Sequence, residues 1–141
     1  MSKLEELIRQ HCPDGVEWKT IGLLAEVGTG SSNGNEAEEE GTYPFYVRSQ
    51  TIKRKYAYEY VEEAIIIPGE GGIGDIFHYA NGKYALHQRV YRIHFMTPLV
   101  NVKFAYYYFQ NSFKPFIMRK AVNATVTSIR KPMIEDFPIP V

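Results

Sequence analysis

The chain has 141 residues, 45% of them hydrophobic and 23% charged, and its formal net charge is zero. This length and composition are typical of one soluble globular domain with its own apolar core. Cys12 is the single cysteine, which excludes a disulfide framework and a cysteine-based zinc site. A charged start and the lack of a long apolar run exclude a signal peptide and a membrane span. We therefore expect a cytoplasmic protein with no membrane partner.

The first forty residues predict two short helices and a loop. Residues 3–11 carry leucine and isoleucine at helical spacing, and Pro13-Asp14-Gly15 ends that helix in a turn. Thr20 can cap a second short helix that extends to Val27. Residues 28–41 are polar, acidic and rich in glycine, which predicts a mobile loop.

The middle of the chain predicts the strands of a sheet. Apolar or alternating side chains indicate three strands, at Tyr43–Val47, Ala64–Ile67 and residues 89–95. Asn81-Gly82 is a strong turn signal, and it predicts a hairpin between residues 75–80 and residues 83–84. Most of these strands therefore have antiparallel neighbours.

The last third predicts helices and an extended end. Asn101 can cap an aromatic helix near residues 102–113, and Pro115 can begin a second helical piece that extends to Arg119. Thr127 or Ser128 can cap a single turn before the extended final residues. Because strands come first and helices later, we expect an α+β fold with a mixed, mainly antiparallel sheet.

The segment Gly69–Gly74 matches G-x-G-x-x-G and follows an apolar strand. A dinucleotide-binding loop must lead into a helix and needs an acid about twenty residues further on. Here a strand pattern follows, and no acid occurs between Asp75 and Glu135. The motif therefore predicts a sheet loop. Its glycines serve either a close approach to a partner such as DNA or a connection with positive φ angles.

Charge is distributed unevenly along the chain. Residues 1–75 contain 7 basic and 14 acidic side chains, whereas residues 76–134 contain 9 basic and no acidic ones. A long stretch without carboxylates predicts a surface that binds anions. Side chains that bond to bases and phosphates concentrate in residues 31–35, 48–55, 78–89 and 123–131. If these segments meet on one face, they form a composite surface for reading DNA.

From these segments we select candidate DNA contacts by charge, side-chain type and loop position. They are Gln50, Lys53, Arg54, Lys55, His78, Lys83, His87, Arg89, Asn123, Thr125, Thr127, Arg130 and Lys131.

Patterns for catalysis or metal binding are weak. Asp75 and His78 lie close in sequence, but nuclease-type metal sites need clustered carboxylates, which the basic stretch lacks. Glu59, Glu62 and Glu63 flank a strand and are interpreted as surface residues. No G-x-S-x-G nucleophile motif is present. We therefore predict no catalytic, cofactor-binding or metal-binding residues.

Three segments resemble parts of the specificity subunits of type I restriction–modification systems. Their amino-terminal start is similar to KLEELIRQHCPDGVEWKTIGLLAEVGTG. The body of their target recognition domains is similar to YPFYVRSQTI and AIIIPGEGGIGDIFHYANGKYALHQRVYRI. The end of such a domain, where it passes into a helical region, is similar to NATVTSIRKPMIEDFPIPV. The resemblance covers nearly the whole chain.

This resemblance implies a target recognition domain, which reads one half of a split DNA target and is not itself an enzyme. The implied partners are double-stranded DNA, the modification (methyltransferase) subunits and the restriction subunit. No cofactor is expected here, because S-adenosylmethionine would bind the methyltransferase subunit. The family's subunits carry two recognition domains and two long spacer helices. Residues 1–141 lack the heptads of such helices, so we expect one recognition domain without the spacer helices or the second domain.

Two other functions stay open at this point. One is a small nucleotide-dependent or nucleic-acid-processing enzyme that uses the glycine loop with Asp75 and His78. The other is a protein–protein adaptor. Binding to duplex DNA that weakens steeply with salt, without turnover, distinguishes a DNA-binding module from both.

Overall fold

A computed structural model describes residues 17–120, 126 and 128–141. The predicted helix over residues 3–11, the turn at Pro13-Asp14-Gly15 and Cys12 lie outside the described residues. The elements are, in chain order, β1 (Trp18–Thr20), α1 (Ile21–Leu24), β2 (Ala25–Thr29), a 3₁₀ turn (Gly34–Glu36), β3 (Tyr43–Tyr46), β4 (Lys53–Lys55), β5 (Tyr60–Pro68), β6 (His78–Leu86), β7 (Val90–Phe95), α2 (Val102–Lys120), α3 (Lys131–Glu135) and β8 (Pro138–Pro140).

Six of the strands form one sheet in the order β2-β7-β5-β6-β3-β4, and β1 pairs with β8 in a separate ribbon. Every neighbouring pair is antiparallel except β3 and β6, which run parallel. The predicted α+β class with a mixed, mainly antiparallel sheet is therefore confirmed.

The sheet curves back on itself because the chain after β2 bonds to the end of β6. The Gly30 N–H donates to the His87 carbonyl at 3.2 Å, and the Ser32 N–H donates to the Leu86 carbonyl at 3.3 Å. A Cβ on Gly30 would lie 1.9 Å from the Leu86 carbonyl oxygen. Only glycine therefore permits this close approach of two backbones.

Alternating side chains of β5 contribute to two apolar clusters. Ile65 and Ile67 pack in the larger cluster, which includes Phe109 and Phe113 of α2. Ile66 lies on the opposite face of β5, in a second cluster. Burying each of these side chains contributes about 1.5–3 kcal/mol, so the helix and the curved sheet fix each other.

The predicted hairpin at Asn81-Gly82 is wrong. Strand β6 continues through both residues, and β5 pairs with it without a break from Tyr60↔Tyr84 to Ile66↔His78. Because β5 offers partners along this whole length, the sheet outweighs the local turn preference. Gly82 adopts a φ of 117° inside the strand. The connection between β5 and β6 is the glycine segment, and β6 begins at His78 rather than at Asp75.

Helix α2 is continuous, so the prediction of a second piece beginning at Pro115 is wrong. Phe113 and Ile117 lie on either side of Pro115 and are both buried in the same cluster. Their burial holds the helix together across the missing proline N–H. The predicted cap is confirmed, because the Asn101 Oδ1 accepts the Phe104 N–H at 3.0 Å.

The two short helices differ from their predicted bounds. Thr20 makes no side-chain cap, and α1 ends at Leu24 because the following residues pair with β7 as β2. The predicted loop over residues 28–41 therefore begins after Thr29. Helix α3 has Arg130 as its N-cap residue, whereas Ser128 forms a β-bridge with Glu70. Thr127 lies outside the described residues.

Candidate nucleic-acid interface

A polar cleft opens where four segments meet at the ends of strands. The backbone beside it is firmly held, since the Gly69 N–H donates to the Arg89 carbonyl at 2.9 Å and the Ile129 N–H donates to the Gly69 carbonyl at 2.7 Å. The residues that line the cleft are Asn33, Gly34, Asn35, Arg48, Glu70, His87, Gln88 and Arg89. Three of the four predicted segments, 31–35, 48–55 and 78–89, thus contribute residues to this cleft. The fourth segment, 123–131, bonds beside them through Ile129.

The glycine motif forms a tight turn on one side of this cleft. Gly71, Gly72 and Gly74 have φ angles of 69°, 59° and 74°, in the region that favours glycine. At Gly69 an added Cβ would lie 3.0 Å from the Arg89 carbonyl oxygen. The prediction of a sheet loop is confirmed, because the motif leads through residues 75–77 into β6 and not into a helix.

Glu70 joins two arginines across the cleft. The Arg48 Nη1 lies 3.0 Å from the Glu70 Oε2, and the Arg89 Nη1 lies 3.3 Å from the Glu70 Oε1. Exposed ion pairs of this kind contribute about 0–1 kcal/mol to stability. Their main effect is therefore to restrict where two solvent-facing guanidinium groups lie.

An amide pair lies beside the arginines. The Gln88 Nε2 donates to the Asn33 Oδ1, and the Gln88 N–H donates to the Ser32 carbonyl at 2.9 Å. The Asn33 N–H donates to Glu36, which fixes the start of the 3₁₀ turn. The Asn33 Nδ2 and the Gln88 Oε1 remain as a donor and an acceptor, the combination that matches the major-groove edge of adenine.

His87 contributes to the cleft as a neutral ring. Burial lowers the pKa of His87, and the positive charges of Arg48, Arg89 and Lys53 lower it further. Its Nδ1 accepts the Arg89 N–H at 2.9 Å. Only 5% of the residue is exposed, so His87 supports the β6–β7 turn and carries no charge towards a phosphate near pH 7.

The three basic residues of β4 have different surroundings. Lys53 is exposed, and its ammonium group makes no ion pair or hydrogen bond within the described part of the chain. Arg54 donates to the Gly41 and Thr42 carbonyls at 3.1 and 2.6 Å. The Lys55 ammonium bonds to Ser32 at 3.1 Å, and its side chain is 13% exposed. Gln50 is exposed beside them.

His78 and Lys83 are not among the residues that line the cleft. His78 is buried, and its Nε2 bonds to the Ser49 carbonyl at 3.1 Å, so the ring does not reach the surface. The Lys83 Nζ lies 5.0 Å from the centre of the Tyr58 ring. Arg130 and Lys131 are exposed and follow Ser128 closely in the chain. Asn123, Thr125 and Thr127 lie outside the described residues.

The interpretation of Glu62 as a surface residue is wrong. Its side chain is 9% exposed and lies 3.0 Å from the Arg92 Nη2, while Arg92 also lies 2.7 Å from Glu26. The Tyr84 hydroxyl donates to Glu62 at 2.9 Å, and burial together with this carboxylate raises the pKa of Tyr84. These residues form a buried structural network that the alternating pattern of β7 does not reveal.

Candidate catalytic groups are not brought together. Asp75 pairs with Lys114 at 2.8 Å, whereas His78 is buried against Ser49. In residues 17–120, 126 and 128–141, no cluster of three His, Cys, Asp or Glu side chains could hold a metal ion. No helix in these same residues has both the length and the apolar character needed to cross a membrane.

Residues 13–141 match the family described as the type I restriction modification DNA specificity domain. The specificity subunit of the type I restriction enzyme EcoDI from Escherichia coli is 29% identical over 126 residues, which cover 88% of this chain and 27% of that protein. The chain therefore spans about a quarter of the length of this relative.

Solved structures of two S subunits share the fold. The type I S subunit from M. genitalium has a TM-score of 0.70 at 22% identity, covering 89% of this chain and 34% of that one. The HsdS subunit from Thermoanaerobacter tengcongensis has a TM-score of 0.61 at 13% identity, covering 98% of this chain and 39% of that one.

Proposed function

The chain belongs to the type I restriction modification DNA specificity domain family, and we propose that it binds double-stranded DNA by sequence through the polar cleft. In this proposal it reads one half of a bipartite target. The observation that carries the proposal is the meeting of arginine and amide side chains from remote segments in one exposed cleft. These are the side chains that form paired hydrogen bonds with guanine and adenine edges.

The neighbourhood of the cleft supports a division of tasks. Arg48, Arg89, Asn33 and Gln88 present paired donors and acceptors suited to base edges. Lys53, Arg130 and Lys131 are exposed cations suited to phosphates. The short connections at strand ends would fix the spacing between both kinds of contact.

We further propose that this chain supplies recognition and that partner subunits supply catalysis. The modification subunits, with S-adenosylmethionine, would methylate adenine, and the restriction subunit would cleave DNA. The proposed location is the cytoplasm, where these subunits and the DNA meet.

Selection from a random duplex library tests the proposal with the full 141-residue chain. We expect an enriched sequence whose affinity falls as salt rises, with a slope of about −0.9 in log K against log salt per phosphate contact. Single-stranded DNA of the same sequence is the control, and weaker binding to it is expected. Enrichment of no sequence, or affinity that does not change with salt, contradicts the proposal.

A second measurement addresses the partners. The chain is mixed with type I modification subunits, with and without the selected duplex, and complexes are separated by size. We expect co-elution that places the selected duplex in the complex in preference to a scrambled one. Co-elution without any preference between the duplexes would instead support a protein–protein adaptor.

A further inference from the structure

We propose that Arg48 and Arg89 each read a guanine, in two neighbouring base pairs, and that Glu70 is the positioning residue that sets both guanidinium groups. This inference rests on the proposed function, because it names the bases that the cleft selects. Each arginine would bond through two N–H groups to the O6 and N7 atoms of its guanine, the common specific contact in the major groove.

The first support is the shared carboxylate. Arg48 and Arg89 bond to opposite oxygens of Glu70, at 3.0 and 3.3 Å. Each uses only Nη1, and neither guanidinium makes another hydrogen bond within the described part of the chain. The Nε and Nη2 donors of both groups are therefore free for an acceptor pair. Two groups on one carboxylate are close enough to address base pairs that are about 3.4 Å apart along a strand.

The second support is the stiffness of the backbone that carries these side chains. Arg48 lies just after β3, Glu70 just after β5, and Arg89 just before β7. Glu70 forms a β-bridge with Ser128, and the preceding Gly69 bonds to the backbone of Arg89. Side chains on such short, bonded connections lose little further freedom on binding, which favours specific contacts.

The third support is the charge of Glu70 itself. A phosphate that approached both arginines would also meet this carboxylate, whose side chain is 38% exposed between them. Like charges repel, so the arrangement disfavours a shared phosphate contact. A guanine edge is neutral and offers only acceptors to the arginines, so the carboxylate can stay in place. The geometry therefore favours base edges over the DNA backbone.

The sharpest test compares charge-conserving variants on the selected duplex. We measure affinities of R48K and R89K for the selected sequence and for duplexes in which each base pair is replaced in turn. Each variant should lose about 5- to 150-fold in discrimination at one G·C pair, and the two affected pairs should be neighbours. Lysine keeps the charge but not the paired donors, so affinity for unrelated DNA and its salt slope should stay unchanged.

Substitution of Glu70 should change DNA binding in a way that loss of a purely structural residue would not. E70Q removes the negative charge at nearly constant shape, so affinity for unrelated DNA should rise while discrimination at both G·C pairs falls. E40Q removes a charge from an exposed residue outside the cleft lining and is the matched control. It should leave discrimination at both pairs unchanged.

Some outcomes contradict this inference alone, and others contradict the proposed function as well. A selected sequence without neighbouring G·C pairs, or unchanged base preference in both R48K and R89K, overturns this inference and leaves the proposed function standing. If the wild-type chain shows no salt-sensitive duplex binding, the proposed function fails, and this inference fails with it. Thermal melting of each variant confirms that affinities are compared between folded proteins.

Discussion

Lys53, Arg54 and Lys55 are consecutive basic residues. Their side chains have different partners in the fold, which the sequence alone does not show. Arg54 bonds to two carbonyls of the preceding loop, and Lys55 bonds to Ser32 over the Phe45 ring. Lys53 is exposed, and its charge acts on His87 of the cleft. A run of basic residues predicts a positively charged surface. It does not show which of these side chains bond within the protein and which remain available to a ligand.

Single residues of the cleft were predictable to different degrees. Arg89 was predicted as a contact and lies in the cleft lining, while Arg48, Asn33 and Gln88 fall in predicted segments without having been selected. Their side-chain types could have identified them. Glu70 could not be found this way, because an acid counts against an anion-binding surface until its two arginine partners are known.

Arg92 provides a prediction about stability. It is 6% exposed at its side chain and pairs with the buried Glu62, so R92M leaves an uncompensated buried carboxylate. We expect R92M to lower the free energy of unfolding by about 3–5 kcal/mol, measured by urea denaturation. The double variant R92M/E62Q should recover part of this loss. The control is R119M, at an exposed position of α2, which should change the free energy of unfolding little. If R92M changed it as little as R119M does, the buried network would be contradicted.

At the scale of elements, the local sequence preferences that appear in the structure are those that agree with the burial of apolar side chains. Strands β5 and β7 and the cap of α2 were predicted, because their apolar patterns and their packing agree. Asn81-Gly82 favours a turn and Pro115 favours a helix start, yet both lie inside longer elements. In both cases many tertiary contacts oppose one local preference of about 1–3 kcal/mol.

The closure of the curved sheet depends on one glycine, which gives a second stability prediction. A Cβ at Gly30 would lie 1.9 Å from the Leu86 carbonyl oxygen, so G30A must push β2 away from the end of β6. We expect a loss of about 1–3 kcal/mol in the free energy of unfolding, measured in urea. Gly28 is the matched control, since its nearest atom would be 3.7 Å away. Equal losses in G28A and G30A would show that the closure is not tight.

At the scale of the whole molecule, the cleft joins segments that are far apart in sequence. Asn33 and Gln88 are 55 positions apart, and Arg48 and Glu70 are 22 positions apart. The sequence predicted which segments carry suitable side chains. It could not predict that their meeting point lies at the ends of β3, β5 and β6, because this depends on strand order. The parallel pairing of β3 with β6 brings the ends of these two strands together, and the pairing of β5 with β7 brings the end of β5 to the start of β7 beside them.

The distribution of charge over the molecule leads to a prediction about where DNA lies. The charge of Lys53 acts on His87 in the cleft, and the exposed Arg130 and Lys131 follow Ser128, which forms a β-bridge with Glu70. The triple variant K53A/R130A/K131A should therefore lose phosphate contacts. We expect the slope of log K against log salt to become shallower by about 2 to 3, with the preferred sequence unchanged. Affinities for the selected duplex over a series of salt concentrations measure this slope.

The control removes three other exposed cations, in K83A/K103A/R119A. Lys83 and Lys103 lie against the Tyr58 and Tyr79 rings, and Arg119 lies near the end of α2. Tyr79 and Lys83 are on the face of β6 that packs against α2, since Tyr79 contacts Tyr106. Both triple variants change the net charge equally, so a general loss of attraction would affect them alike. A slope that changes only in the control would place the DNA on the α2 face and contradict the position proposed for the interface.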